Sequence, residues 1–147
     1  MLGLVKPMVV MPLRADGNYP HMAHRDRAVW ARWLALYADQ YLGVVYDLAF
    51  GGLDAPDPEA TRTEREMWQY QTALKIDAFV LAPDRALVIE VRPWATVSAL
   101  GAALTYAMGL QEIGVTESLL VPTIVCEGIQ VDVAAMCAKL GIDVVQV

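Results

Sequence analysis

The sequence predicts an α/β domain with a mixed central sheet flanked by helices, and three of its stretches carry that reading. Residues 75–92, KIDAFVLAPDRALVIEVR, read as a hairpin that is apolar on both faces, which is the composition of strands covered from above and below. Residues 21–42 place Trp30, Trp33, Leu34, Tyr37 and Tyr41 along one helical stripe. Residues 119–147 read as strand, helix, strand with short links, the pattern of a right-handed parallel crossover.

Taken in order, residues 4–11 suit a short strand or arm stopped by Pro12, and residues 15–20 (ADGNYP) are turn chemistry. The helix over 21–42 presents its aromatic stripe as core packing and sets Arg25 and Arg32 on another face; Gly43 ends it. Residues 44–50 form the first sheet strand and residues 51–58 a loop of Gly, Pro and Asp, followed by a short helix or ordered turn over about 61–71. After the hairpin, residues 95–114 form a helix that carries no charge before Glu112. Val97, Gly101, Thr105 and Gly109 step by four there, which predicts a flat face lying close against the sheet. Residues 119–126 form a buried strand, Glu127-Gly128 a turn, residues 131–140 a helix ended by Gly141, and residues 143–147 the last strand. A length of 147 residues suits one domain: an arm over 1–20, a core over about 21–126 and an extension over 127–147.

The hairpin carries the chemistry. With its turn at Pro83-Asp84, antiparallel partners have numbers summing to 167, so Asp77 faces Glu90 and Lys75 faces Arg92 on one face. Four ionisable groups at one end of an otherwise apolar ribbon are costly to bury unless they are paired or bind a metal. Two outcomes are open. One is a structural ion-pair square, with Asp77 paired to Arg92 and Glu90 to Lys75. The other is a divalent ion shared by the two carboxylates, which are hard oxygen ligands.

Composition narrows the surroundings. The apolar fraction of 56% predicts a well-covered sheet, an oligomer interface or a membrane segment. The charge-free run over residues 93–111 nearly matches a membrane span, but its Gly, Ala, Ser and Thr content favours a buried helix and no membrane partner. A net charge of −6 disfavours a protein built mainly to grip nucleic acid. Residues 1–33 nevertheless hold five basic residues against two acids, so a local basic patch at the first helix remains open. Cys126 and Cys137 match no zinc or redox spacing and read as buried free thiols. The first residues carry no secretory signal pattern, in keeping with a cytoplasmic or virion location. Glu64 and Glu66 are extra carboxylates with the character of ordinary surface charge. His21 and His24, beside Asp26, are weak candidates for a metal site.

Helix, strand, a strand pair carrying Asp77 and then Glu90-Val91-Arg92, helix, strand: this order resembles the core of the PD-(D/E)XK nuclease superfamily, the restriction-endonuclease-like fold, over residues 21–126. The resemblance implies that Asp77 and Glu90 hold magnesium or manganese, and that the basic residue two places after the glutamate orients the attacking water. That residue is Arg92 where the family has lysine, and arginine cannot act as a general base. Lys75 is the candidate replacement, with Arg92 left to bind phosphate or transition-state charge. Tyr106 falls where relatives carry a polar or aromatic helix residue, while Ala102 and Ala103 stand near the family's missing glutamine. The implied function is magnesium-dependent cleavage of DNA. The competing expectation is an inactive form of the fold, serving as a structural or assembly protein of a phage virion or as a homo-oligomer.

Overall fold

A computed structural model describes every residue except Met1, Asn18 and His21. The secondary structure runs α1 (His24–Tyr37), a 3-10 turn at Ala38–Gln40, β1 (Gly43–Phe50), α2 (Arg62–Thr72), β2 (Leu74–Leu81), β3 (Arg85–Ala95), α3 (Val97–Ile113), β4 (Leu119–Ile129), α4 (Val131–Leu140) and β5 (Asp143–Gln146). The five strands form one mixed sheet in sequence order. β1, β2 and β3 are antiparallel neighbours, and β4 and β5 add in parallel through the crossovers that contain α3 and α4. The α/β class and the flanking helices expected from the sequence are therefore present.

Both faces of the sheet are covered, and for that reason β1 is buried along its whole length. On one face Trp30, Trp33 and Leu34 of α1 pack on Val44, Tyr46, Val80, Ile89 and Val125. Trp30 and Trp33 stack with ring centroids 4.7 Å apart. The Trp30 indole N–H donates to the Tyr46 hydroxyl at 2.9 Å, which satisfies its polar atom inside the core. The aromatic stripe is thus core, as its spacing predicts. The helix itself is shorter than residues 21–42, because its last turn tightens to 3-10 before β1. On the other face, α3 and α4 pack over Phe79, Val88, Ile124 and Cys126. Cys126 and Cys137 are buried free thiols there. The arm before α1 bridges Leu4 to Phe50 and Met11 to Val44, shielding the β1 edge from other strands.

Two expectations about local packing need correction. The stepped face Val97, Gly101, Thr105 is the exposed side of α3, and the side against the sheet is Ala99, Ala103, Ala107 and Leu110. Both stripes are small enough to approach a sheet, but the flanking Leu110 turns the alanine stripe inward. Gly109 alone of the stepped residues is buried, because a β-carbon there would collide with the Phe50 ring. Glu127-Gly128, expected as a turn, continues β4, with Gly128 opposite Trp94 of β3 and Ile129 opposite Ala95. These placements give opposite signs for two neighbouring substitutions. Gly101→Ala, whose added carbon meets nothing within 4 Å, is expected to stabilise the protein by up to about 1 kcal/mol. Ala103→Leu is expected to cost about 1–3 kcal/mol by overpacking. Urea unfolding of the two variants checks both.

Candidate functional site

The charged hairpin residues come together where β2 parts from β3. The register Ala78↔Ile89 through Leu81↔Ala86 keeps the sum of 167, but the paired stretch ends there, one step short of Asp77 and Glu90. Beyond that point the Asp77 carboxylate takes the place of a ladder carbonyl and accepts from the Val91 N–H at 2.8 Å. The β2–β3 pairing does not reach Lys75 and Arg92, so their expected opposition is not formed; on its other side Lys75 pairs with Ala49 of β1. The Lys75 ammonium lies 4.6 Å from the Tyr70 ring centroid and 3.5 Å from the Gln71 carbonyl oxygen, beside α2. The sum rule fails here because it extends a flat ladder, whereas the strands separate at this position.

The separation has a local cause. Tyr46 and Ala78 pack on the α1 side of the sheet, whereas the pair two residues further, Leu48 and Ile76, packs on the α3 side. Strict alternation would keep both pairs on one side. The reversal falls at Asp47 and Asp77, which lie between these pairs. Asp47 has φ 51°, a left-handed conformation that aspartate tolerates better than most residues. Its buried carboxylate accepts from the Lys6 ammonium at 2.8 Å and from the Tyr70 hydroxyl. The arm and α2 are thereby tied to the strand that reverses.

Arg92 supplies the positive charge of the site. Its guanidinium pairs closely with Glu90 and stands 4.0 Å from Asp77. Of the two ion-pair diagonals that the sequence suggested, Asp77 with Arg92 survives as a long contact, and Glu90 takes Arg92 rather than Lys75. Asp26, near the start of α1, belongs to the same charge group: burial holds its carboxyl above the ordinary range and Arg92 pulls it down. Burial raises Asp77 to about 6, opposed by the Val91 N–H and Arg92 and reinforced by Asp26 and Asp47. Glu90 is raised to about 8, first by burial and then by Asp77, with Arg92 opposing. Tyr106 from α3 borders the cluster, its phenol pushed up by burial and then by Glu90 and Asp77. Burial therefore outweighs the Arg92 guanidinium, and Asp77 and Glu90 retain protons well above the usual carboxylate range.

Sequence reasoning missed Asp26 as a member of the site and gave Asp47 no role. Both lie far from the hairpin in sequence, and only the helix and strand packing brings them near. The remaining sequence candidates are accounted for elsewhere. Glu64 completes a capping box with Thr61 at the start of α2, and Glu66 pairs with Arg62 at 2.7 Å one helical turn away. His24 is exposed at the start of α1, and His21 lies outside the described residues.

Among the described residues, no group of three or more histidine, cysteine, aspartate or glutamate side chains is arranged to hold a metal ion. Magnesium, however, is usually held by one or two carboxylates plus water and substrate phosphate rather than by an all-protein cage. Asp77 and Glu90 are carboxyl donors of that kind, and an ion bound there would displace the protons they retain. Among the described residues, no helix is long and apolar enough to cross a membrane. Comparisons with protein-family models, curated proteins and solved structures give no match to this chain.

Proposed function

We propose that this chain is a restriction-endonuclease-like domain that hydrolyses phosphodiester bonds in DNA with a magnesium or manganese ion. The observation that carries the reading is the fork between β2 and β3, where the carboxyls of Asp77 and Glu90 converge in a partly buried site beside Arg92. The order α1, β1, β2, β3, α3, β4, interrupted by α2 between β1 and β2 and with β4 parallel to β3, supports the same reading. Asp77 and Glu90 would hold the ion, which when bound supplies Lewis-acid polarisation of a phosphoryl oxygen and a more acidic water. Arg92, planar and permanently charged, binds phosphate oxygens and offsets the charge that develops on them. It cannot take a proton from water. The Lys75 ammonium rests 4.6 Å from the Tyr70 ring centroid, so it would join this chemistry by turning away from that ring.

The second reading is a catalytically silent form of the same fold used in assembly. It draws on the close Arg92–Glu90 pair, which gives Glu90 a resident cation in place of a metal. Incubation of labelled single- and double-stranded DNA with manganese separates the two. The hydrolase reading expects metal-dependent cleavage by the wild type, preserved or raised in Arg92→Lys. Inactivity of both proteins in manganese would favour the assembly reading.

A further inference from the structure

Four tryptophans divide sharply by environment: Trp30 and Trp33 are core residues, whereas Trp68 and Trp94 are 38% and 58% exposed. Trp94 is singular in how it is seated. Its ring lies over Gly128 of the neighbouring strand, where a β-carbon would collide with the indole. A glycine inside a strand weakens it and commonly marks close approach by another group. Here the glycine lets a large aromatic surface rest on β4 while most of the ring stays in water.

The position ties this ring to the charged fork. Trp94 follows Arg92 by two residues on β3, about 7 Å further along the strand. On β4, Glu127 precedes Gly128 and holds the Arg32 guanidinium at 2.6 Å, an exposed pair that a phosphate can open. An exposed aromatic platform with the Arg92 guanidinium on its own strand, and that of Arg32 reaching the neighbouring strand from α1, matches the chemistry of a nucleotide, a flat base joined to an anionic backbone. Bases inside a duplex are already stacked and cannot lie on such a ring.

We propose that Trp94 is a stacking platform for an unpaired nucleobase, so that the nucleic acid taken at the fork is single-stranded or locally melted. The proposal rests on the phosphodiester reading above and specifies its substrate. Trp94 acts as a positioning and specificity residue, not a catalytic one. The competing occupant is protein: Val97 and Val131, 69% and 83% exposed, begin α3 and α4 near the same end of the sheet and extend the apolar surface.

Intrinsic fluorescence decides between them. In a Trp68→Phe background, Trp94 is the exposed indole, and the protein is titrated in calcium with a short thymidine oligonucleotide, the equivalent duplex, and a base-free deoxyribose phosphate strand. The proposal expects quenching by the single strand, little by the duplex and none by the base-free strand. Trp94→Ala, followed by anisotropy of a labelled strand, should weaken binding about 10- to 100-fold. Gly128→Ala, which keeps the indole but displaces it, should weaken binding in the same direction. Equal binding of the base-free strand, or unchanged affinity in Trp94→Ala, would overturn the proposal. So would quenching that depends on protein concentration alone and vanishes in Val131→Ser, which would assign the surface to a protein contact. Wild-type cleavage with affinity unchanged in Trp94→Ala refutes the platform and leaves the hydrolase. Stacking without cleavage retains the platform and refutes the hydrolase.

Discussion

Glu90→Gln is expected to make the metal-free protein more stable at pH 8, by on the order of 2–4 kcal/mol, and to have little effect near pH 4. Glu90 is raised from 4.5 to about 8 and Asp77 from 3.8 to about 6, in both cases chiefly by burial. A raised carboxyl pKa means that the folded chain keeps protons which the unfolded chain has released. The associated stability is fully present below about pH 4 and is lost as pH rises through 6 for Asp77 and 8 for Glu90. The amide that replaces the carboxyl in Glu90→Gln does not titrate, so the variant should not show the Glu90 part of that decline. Denaturant unfolding of both proteins across this pH range checks the result. A variant less stable than wild type at pH 8 would mean that the Arg92 pair outweighs the burial of Glu90. The general reason for such a gain is that a site holding charge in readiness for a ligand costs stability until the ligand arrives.

Asp77→Asn is expected to reduce manganese-dependent cleavage at least about 100-fold while leaving the folded structure intact. The amide oxygen that this substitution introduces can still accept from the Val91 N–H, the contact made by the Asp77 carboxylate at 2.8 Å. Loss of activity therefore reports the loss of negative charge and not the opening of the fork. Far-ultraviolet circular dichroism and an unfolding curve confirm the fold beside the cleavage assay. Full activity in Asp77→Asn would remove Asp77 from the reaction.

Much of this was legible in the sequence wherever the determinant was local. The helix α2 was expected from about Thr61, Trp30 to Tyr37 give the inward face of α1, and the hairpin register follows from Pro83-Asp84. The α3 face was misassigned because Val97-Gly101-Thr105 and Ala99-Ala103-Ala107 are both small, and only contact with Phe50 and the sheet distinguishes them. The grouping of the charges of Asp77, Glu90 and Arg92 was legible, but not the fork that holds them. A period-two pattern carries no sign of the reversal at Asp47 and Asp77, which depends on one backbone angle and on the anchoring of Asp47 by Lys6 and Tyr70. That reversal is also what moves Lys75 away from Arg92.

The central claim is that the fork between β2 and β3 takes a divalent cation. Isothermal titration of manganese into the wild type and Asp77→Asn, repeated in buffers of different ionisation enthalpy at pH 7, tests it most directly. The wild type should bind with release of protons, because the ion displaces those that Asp77 and Glu90 retain in its absence, and Asp77→Asn should show no binding heat. A wild type that takes up no manganese at millimolar concentration would contradict the claim and leave Arg92 as the permanent counter-ion of a structural charge cluster.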